Sequence, residues 1–467
     1  MVSSIIDKSS YIRKNSLKPN NVGGGGLRKV CMSQFVDLLV LKDRQHAKIV
    51  ISELLPYETD VLPLVQLQLI GWVCWSIMRR IRGISFPDDH LWLLRLICID
   101  FFQLKSVRVL SLFILAVNVV LVLIQTYLFL SVFEAKYFIR YASYYFGSFY
   151  IMLSLVQTIF AIHLNVDALS ALQLWTHHNV DEKNARYIQF EIKAVNIYTI
   201  VNMICALFAA VVYMFPSENI QQMCFPLNII EDYAPNWKNK LFFMYKMSYP
   251  LMALAMTASS NQVVYTACHA RIQVYIVLSM KKLLLHIDNL NSEKACKLLH
   301  DKEFQEHVKR GMISVIKRSN KCYNIFTELN KKMSTFIILF AVCGGFLGMG
   351  HLLFFVMILN FDFGINEYLQ IASMVLAGLS TFSAVIISGQ KSQELFEKAC
   401  SEWSSYPWYI LNETNKRIYL TFLRILITKP FRIRFTENIS INYELGISIA
   451  KVIYSMLSVF LRFTNME

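Results

Sequence analysis

Four side chains near the end of the chain share one helical face. Glu444, Ser448, Lys451 and Ser455 stand at i, i+4, i+7 and i+11 within the apolar run INYELGISIAKVIYSMLSVFLR, residues 441–462. A spanning helix with such a stripe turns it toward protein or water, because a lysine facing hydrocarbon is costly. Two readings stay open here. A polar stripe that becomes aliphatic again from Leu457 to Leu461 is one way to build a hydrophobic gate in a pore. The same residues also suit a polar seam between packed helices. A retinal Schiff base on Lys451 is disfavoured, since no carboxylate counter-ion pattern accompanies it.

Enzyme chemistry finds no foothold. The phosphate-binding G-x-x-x-x-G-K, the nucleophile G-x-S-x-G and the zinc-binding H-E-x-x-H are all missing from the sequence. His177 and His178 are adjacent, so on a helix they point apart and do not share a metal. The ten cysteines are scattered without a C-x-x-C pair, which argues against a zinc site or a disulfide framework. No metal, no cofactor and no catalytic residue is expected, and the chain reads as a non-enzyme.

The elements that carry these residues follow from hydropathy. The 467 residues are 55% hydrophobic and 17% charged, with mean hydropathy +0.43. That composition is membrane-like. Seven stretches reach the roughly 20 apolar residues a span requires: 107–133, 139–163, 194–215, 243–267, 333–359, 367–390 and 441–462. Leu62–Met78 is shorter and broken by Gln66 and Gln68, and its Trp72 and Trp75 suit an interfacial or buried helix. Leu91–Leu104, with Arg95 and Asp100, reads as an amphipathic lead into the first span. No secretory signal peptide opens the chain, so the first span is expected to act as the targeting signal.

The net charge of +14 is assigned to loops rather than to nucleic-acid binding. Of the 46 basic residues, roughly 38 fall in the N-terminal region and the second, fourth and sixth loops, which places those on the cytoplasmic side. The N-terminus is then inside and the C-terminus outside. The glycosylation-type triplets at Asn412 and Asn438 fall inside and are expected to stay unmodified. The expected organisation is a cytoplasmic N-terminal region with interfacial helices (1–106), helices one to four (107–267), a helical cytoplasmic loop (268–332), helices five and six (333–390), a second cytoplasmic segment (391–440), and the last helix with a short external tail (441–467).

From Lys429-Pro430 through Glu444, Ser448 and Lys451 to Tyr454-Ser455 the sequence resembles the C-terminal signature of insect odorant receptors. The seven spans, the long fourth loop and the tryptophan-bearing sixth loop (Trp403, Trp408) fit the same family, and Gly71-Trp72 is a weaker match to its N-terminal helix. Phe435 and Thr436 depart from the small pair the family often has after Lys-Pro. The related gustatory receptors, the nearest alternative, end on a Thr-Tyr and Gln-Phe motif. Of its four positions, Ile453, Tyr454, Phe460 and Leu461 here, only the tyrosine agrees. A G-protein-coupled receptor would need an external N-terminus and its Asp-Arg-Tyr and Asn-Pro-x-x-Tyr motifs. A transporter would show repeats and buried carboxylates.

The resemblance implies an all-α, seven-helix subunit of a tetrameric non-selective cation channel in the plasma membrane of a sensory dendrite. It implies a ligand-tuning subunit that assembles with the shared odorant coreceptor, its last helix lining the pore. Leu457 falls at the family's gate, Phe460 and Leu461 just beyond it, and Lys451 on the pore-facing stripe. It also implies an odorant pocket in the outer half. There the second helix offers Tyr141, Tyr144, Tyr145, Ser148 and Phe149, the third Ala206, Ala209 and Tyr213, the fourth Phe243, Met247 and Leu251, and the sixth Tyr368 and Ile371. A small volatile ligand suits such an apolar, aromatic lining, with a phenol free to donate one hydrogen bond to an ester or alcohol oxygen. Ordinary helix packing is the competing reading for each of these residues.

Overall fold

The computed structural model describes residues 90–132, 135–161, 180–215, 224–233, 235–284, 292–360, 364–428, 432–434 and 439–464. Contacts divide the chain into Met1–Arg79 and Arg80–Glu467, and every described residue belongs to the second unit. The 62–78 helix, Gly71-Trp72, the His177-His178 pair, Lys429-Pro430, Phe435, Thr436 and Asn438 lie outside the described residues.

The described elements are helical, apart from an isolated bridge between Arg434 and Ser440. α1 (Trp92–Arg95), a π-helical turn Leu96–Asp100 and α2 (Phe101–Gln103) lead into α3 (Lys105–Val132). Then come α4 (Ala135–Val156) with a π turn Gln157–Ala161, α5 (Glu182–Met214), α6 (Phe225–Tyr233), α7 (Lys238–Met247) and α8 (Tyr249–Leu284). α9 (Ser292–His300), α10 (Lys302–Asn360), α11 (Ile365–Ser404), α12 (Glu413–Thr428) and α13 (Tyr443–Thr464) complete the chain.

Six helical segments are long and apolar enough to cross a membrane: Lys105–Ser131, Tyr141–Ala161, Glu182–Met214, Pro235–Lys281, Lys302–Leu352 and Glu367–Ser404. α13, at 22 residues, stands outside that set among the described residues. α8 is the hub, packing on α5, α11, α4, α10 and the first π turn. Its span is 72% buried, against 22% for α3, whose Val109, Phe113, Leu123 and Leu130 are exposed as a lipid-facing surface would be.

Several helices far outrun a bilayer. At 1.5 Å per residue the 59-residue α10 is about 88 Å long, against a hydrocarbon core of about 30 Å. The surplus builds a soluble-type core of Val308, Met312, Val315, Trp403, Tyr406, Ile410, Leu411, Tyr419 and Phe422, all buried. Gln305 stitches it. Its Nε2 donates to the Leu298 and Ile410 carbonyls at 2.9 and 2.8 Å, and its Oε1 accepts from Asn412 N and Asn415 Nδ2 at 3.0 and 2.8 Å. Buried amides of this kind persist because each donor and acceptor is met. The Leu91–Leu104 segment is itself buried, with Leu91, Leu94, Cys98, Ile99 and Phe102 in the main core and Arg95 paired with Asp100 at 3.3 Å.

Candidate functional site

Phenols gather around Cys224 at the α6 end of the bundle. The thiol is 2% exposed and lies 3.9 Å from the Tyr249 hydroxyl. Tyr144 of α4, Tyr213 of α5 and Tyr245 of α7 are its electrostatic neighbours. Burial pushes the Cys224 thiol up to about 11, outweighing the Leu227 amide, the Tyr249 hydroxyl and Lys246, which favour the thiolate. The lid over this group is the loop helix α6. Its Leu227 and the preceding Cys224 are buried with Phe242, and Tyr144, Ile230 and Tyr245 pack on them. Tyr141 joins from α4: its ring meets Phe225 edge-on at 6.0 Å and its hydroxyl accepts from Asn228 Nδ2 at 3.3 Å. The hydroxyls of Tyr144, Tyr213 and Tyr245 have no hydrogen-bond partner among the described residues.

The structure divides the residues expected in a pocket. Tyr141, Tyr144 and Tyr213 come together. Tyr145 and Phe149 do not join them: Tyr145 shares a 2.8 Å hydrogen bond with Thr126 of α3, and its ring packs on Phe129 at 4.9 Å and Phe149 at 5.0 Å. Ser148, Ala206 and Ala209 are buried. Tyr368 is 39% exposed, while Ile371 is buried a turn away. Between them Gln370 Nε2 donates to the Val212 and Phe215 carbonyls at 3.3 and 3.1 Å, tying the start of α11 to the end of α5.

On the fourth span, Phe243 and Met247 are half-buried and Leu251 enters the main core, whereas Phe242, Tyr245 and Tyr249 reach the cysteine. The chain breaks at Ser248, whose amide and hydroxyl both bond the Tyr245 carbonyl, at 3.0 and 2.6 Å. Pro250, in the first turn of α8, was the signal of that break. The residues alone placed Cys224 in an external loop without a partner and gave Phe225 no role, although the apolar run Cys224-Phe225-Pro226-Leu227 is out of character for an exposed loop.

Deeper, polar side chains pair at each level of the hub. Asn261 Oδ1 accepts from Asn202 Nδ2 at 3.3 Å, and Asn202 Oδ1 accepts from Ser380 at 3.0 Å, which joins α8, α5 and α11. Lower, Arg271 Nε bonds Glu191 at 2.7 Å, while its Nη1 donates to the Ser388 carbonyl at 3.0 Å.

The last helix is seated by one face. Gly446 meets Ile386 of α11, and Ile453 meets Gly348 of α10. At 100° per residue, Asn442, Gly446, Ile449 and Ile453 lie within about 60° of one another. Glu444, Ser448, Lys451 and Ser455 lie on the opposite side, and all four are exposed. Apolar shoulders flank them: Ile447 and Tyr454 on one side, Val452 and Val459 on the other, each more than half exposed. The side chains of Leu457, Phe460 and Leu461 lie outside the described residues.

This is the architecture of an all-helical, multi-pass membrane protein. It is similar to the solved structure of the insect olfactory receptor OR5 from Machilis hrabei in complex with eugenol, with TM-score 0.53 and 9% identity over 85% of this chain and 99% of that one. The structure of OR5 without that ligand matches at TM-score 0.52, again with 9% identity and the same coverage. No family model matches the chain, and no curated protein matches it in sequence. At such identity the likeness is one of fold.

Proposed function

We propose that this chain is a subunit of an odorant-gated cation channel, the ligand-tuning partner of an odorant coreceptor in a heterotetramer. The observation that carries the reading is the last helix within an olfactory-receptor fold. Its charged stripe is turned away from its own bundle, so a seam inside the subunit does not account for it. Water in a shared path, with the apolar shoulders against neighbouring subunits, does. Leu457 then forms the gate, with Phe460 and Leu461 beyond it.

The ligand site of this proposal is the phenol group under α6. Tyr144, Tyr213 and Tyr245 present hydroxyls to a small volatile molecule whose apolar body packs on Tyr141, Phe242 and Tyr249, with Ala206, Ala209 and Ile371 in the walls. The described inner core around Trp403 and Gln305 suits an intersubunit anchor, on the cytoplasmic side of a plasma membrane. N-terminus inside and C-terminus outside, with seven crossings, complete the proposal.

Whole-cell current in heterologous cells, with and without a coreceptor, tests it under a panel of volatile esters, alcohols, terpenes and eugenol. A ligand-gated cation current that needs both chains is expected. A response through G-proteins without such a conductance overturns the reading.

A further inference from the structure

We propose that Lys451 places a fixed positive charge beside the ion path and makes this subunit select monovalent over divalent cations. The inference rests on the reading of α13 as a pore helix. Lys451 stands near the middle of that helix, eight residues from Tyr443, and is exposed in the subunit. It makes no ion pair or hydrogen bond among the described residues.

The carboxylate on the same stripe does not neutralise it. Glu444 is seven residues away, about 10.5 Å along the axis at 1.5 Å per residue. In a ring of parallel subunits like levels face like levels, so Glu444 of any second copy of this chain is at least as far away. Ser448 lies between them with its hydroxyl donating to the Glu444 carbonyl at 2.8 Å. The stripe therefore carries a negative level and, two turns further out, a positive one. The apolar shoulders Val452 and Tyr454 leave the ammonium water as its partner. A fixed charge repels a divalent ion twice as strongly as a monovalent one. At a separation of about 6 Å in water, one unit charge changes the divalent-to-monovalent ratio about threefold.

The test is the relative permeability of calcium over sodium, from reversal potentials of the full chain expressed with an odorant coreceptor. Lys451→Gln is expected to raise the ratio about threefold, Lys451→Glu about tenfold, and Lys451→Arg to leave it unchanged. In Lys451→Cys, attaching an aminoethyl group through a thiosulfonate reagent restores the ammonium and should return the ratio toward wild type. A sulfonatoethyl group should raise it further. Ratios that stay at the wild-type value in the Gln and Glu variants overturn the proposal.

Cysteines at Ser448 and Ser455 separate that failure from failure of the pore reading. If both react with the charged reagents while the ratios stay fixed, the pore stands and the role of Lys451 falls. If neither reacts, both fall. A structure of the assembled channel with the ammonium turned into a subunit seam overturns the proposal without any current measurement.

Discussion

Gln157 donates through Nε2 to Gln262 Oε1 at 3.1 Å, and Gln262 passes its own Nε2 proton to the Cys98 carbonyl at 3.1 Å. Gln157 opens one π turn and Cys98 sits inside the other, so one side chain of α8 joins the two irregular turns of the bundle. Both glutamines are 1% exposed. A π turn disturbs the i to i−4 ladder, and a side-chain amide repairs it. Gln262→Leu removes both bonds and takes from the buried Gln157 amide N–H the acceptor it uses here, at about 1–3 kcal/mol. Detergent-extracted protein is expected to lose its monodisperse peak at a markedly lower temperature. Phe113→Leu on the exposed face of α3 should not move it.

Arg271 and Glu191 form a pair with side chains 4% and 15% exposed. Removing one partner of a buried pair is far worse than removing both. Arg271→Gln is expected to cost about 3–5 kcal/mol and most surface expression. Adding Glu191→Gln should recover part of it. A double variant no better than the single would show the two charges uncoupled.

The phenol assignments predict a split. One hydrogen bond is worth about 1 kcal/mol, or roughly fivefold in affinity. Tyr213→Phe and Tyr245→Phe should raise the half-maximal concentration of ester and alcohol ligands by that factor, with little change for hydrocarbons. Tyr145→Phe should not discriminate, because its hydroxyl is already held by Thr126. Dose–response curves for matched ligand pairs decide it.

Gly389 permits the turn into the last helix. A Cβ there would collide with the Ile441 carbonyl oxygen, a backbone atom with little room to yield. Gly389→Ala should displace the start of α13, lowering evoked current more than surface expression. Equal losses in both would make the effect one of folding alone.

Cys224 predicts a pH effect with a definite sign. Its thiol is held at about 11, above the ordinary range near 8.5. Between about pH 9 and 11 the unfolded chain gives up a proton that the folded one keeps, so stability falls as pH rises through that window. Maleimide labelling of Cys224 from outside should stay slow at pH 8, and become fast only when α6 is loosened by Leu227→Ala.

Much of the fold was legible in the residues. Long apolar runs must be helices where water is absent, because the backbone has no other partner there. That logic finds each of the six spans, the first two within about two residues at either end, but it misses how far the third to sixth helices run on beyond the apolar stretch, to Glu182, Lys281, Lys302 and Ser404. The odorant-receptor signature anticipated the fold. The one-residue interruption at Ser248 was not read from the residues, although Pro250 marks the first turn of α8 just beyond it. The burial of α6 was equally hidden, because loop and lid differ only in what they rest against.

By itself the sequence determined periodicity: which residues share a helical face, as Glu444, Ser448, Lys451 and Ser455 do, and which stretches require a nonaqueous setting. Tertiary structure decided direction. It turned Tyr144 toward Cys224 and its neighbour Tyr145 toward Thr126, and it set the α13 stripe opposite Gly446 and Ile453. Periodicity is local, fixed by the rise and turn of one helix. Direction depends on contacts between different helices, from 19 positions apart for Thr126 and Tyr145 to more than a hundred for Gly348 and Ile453, which no single helix encodes.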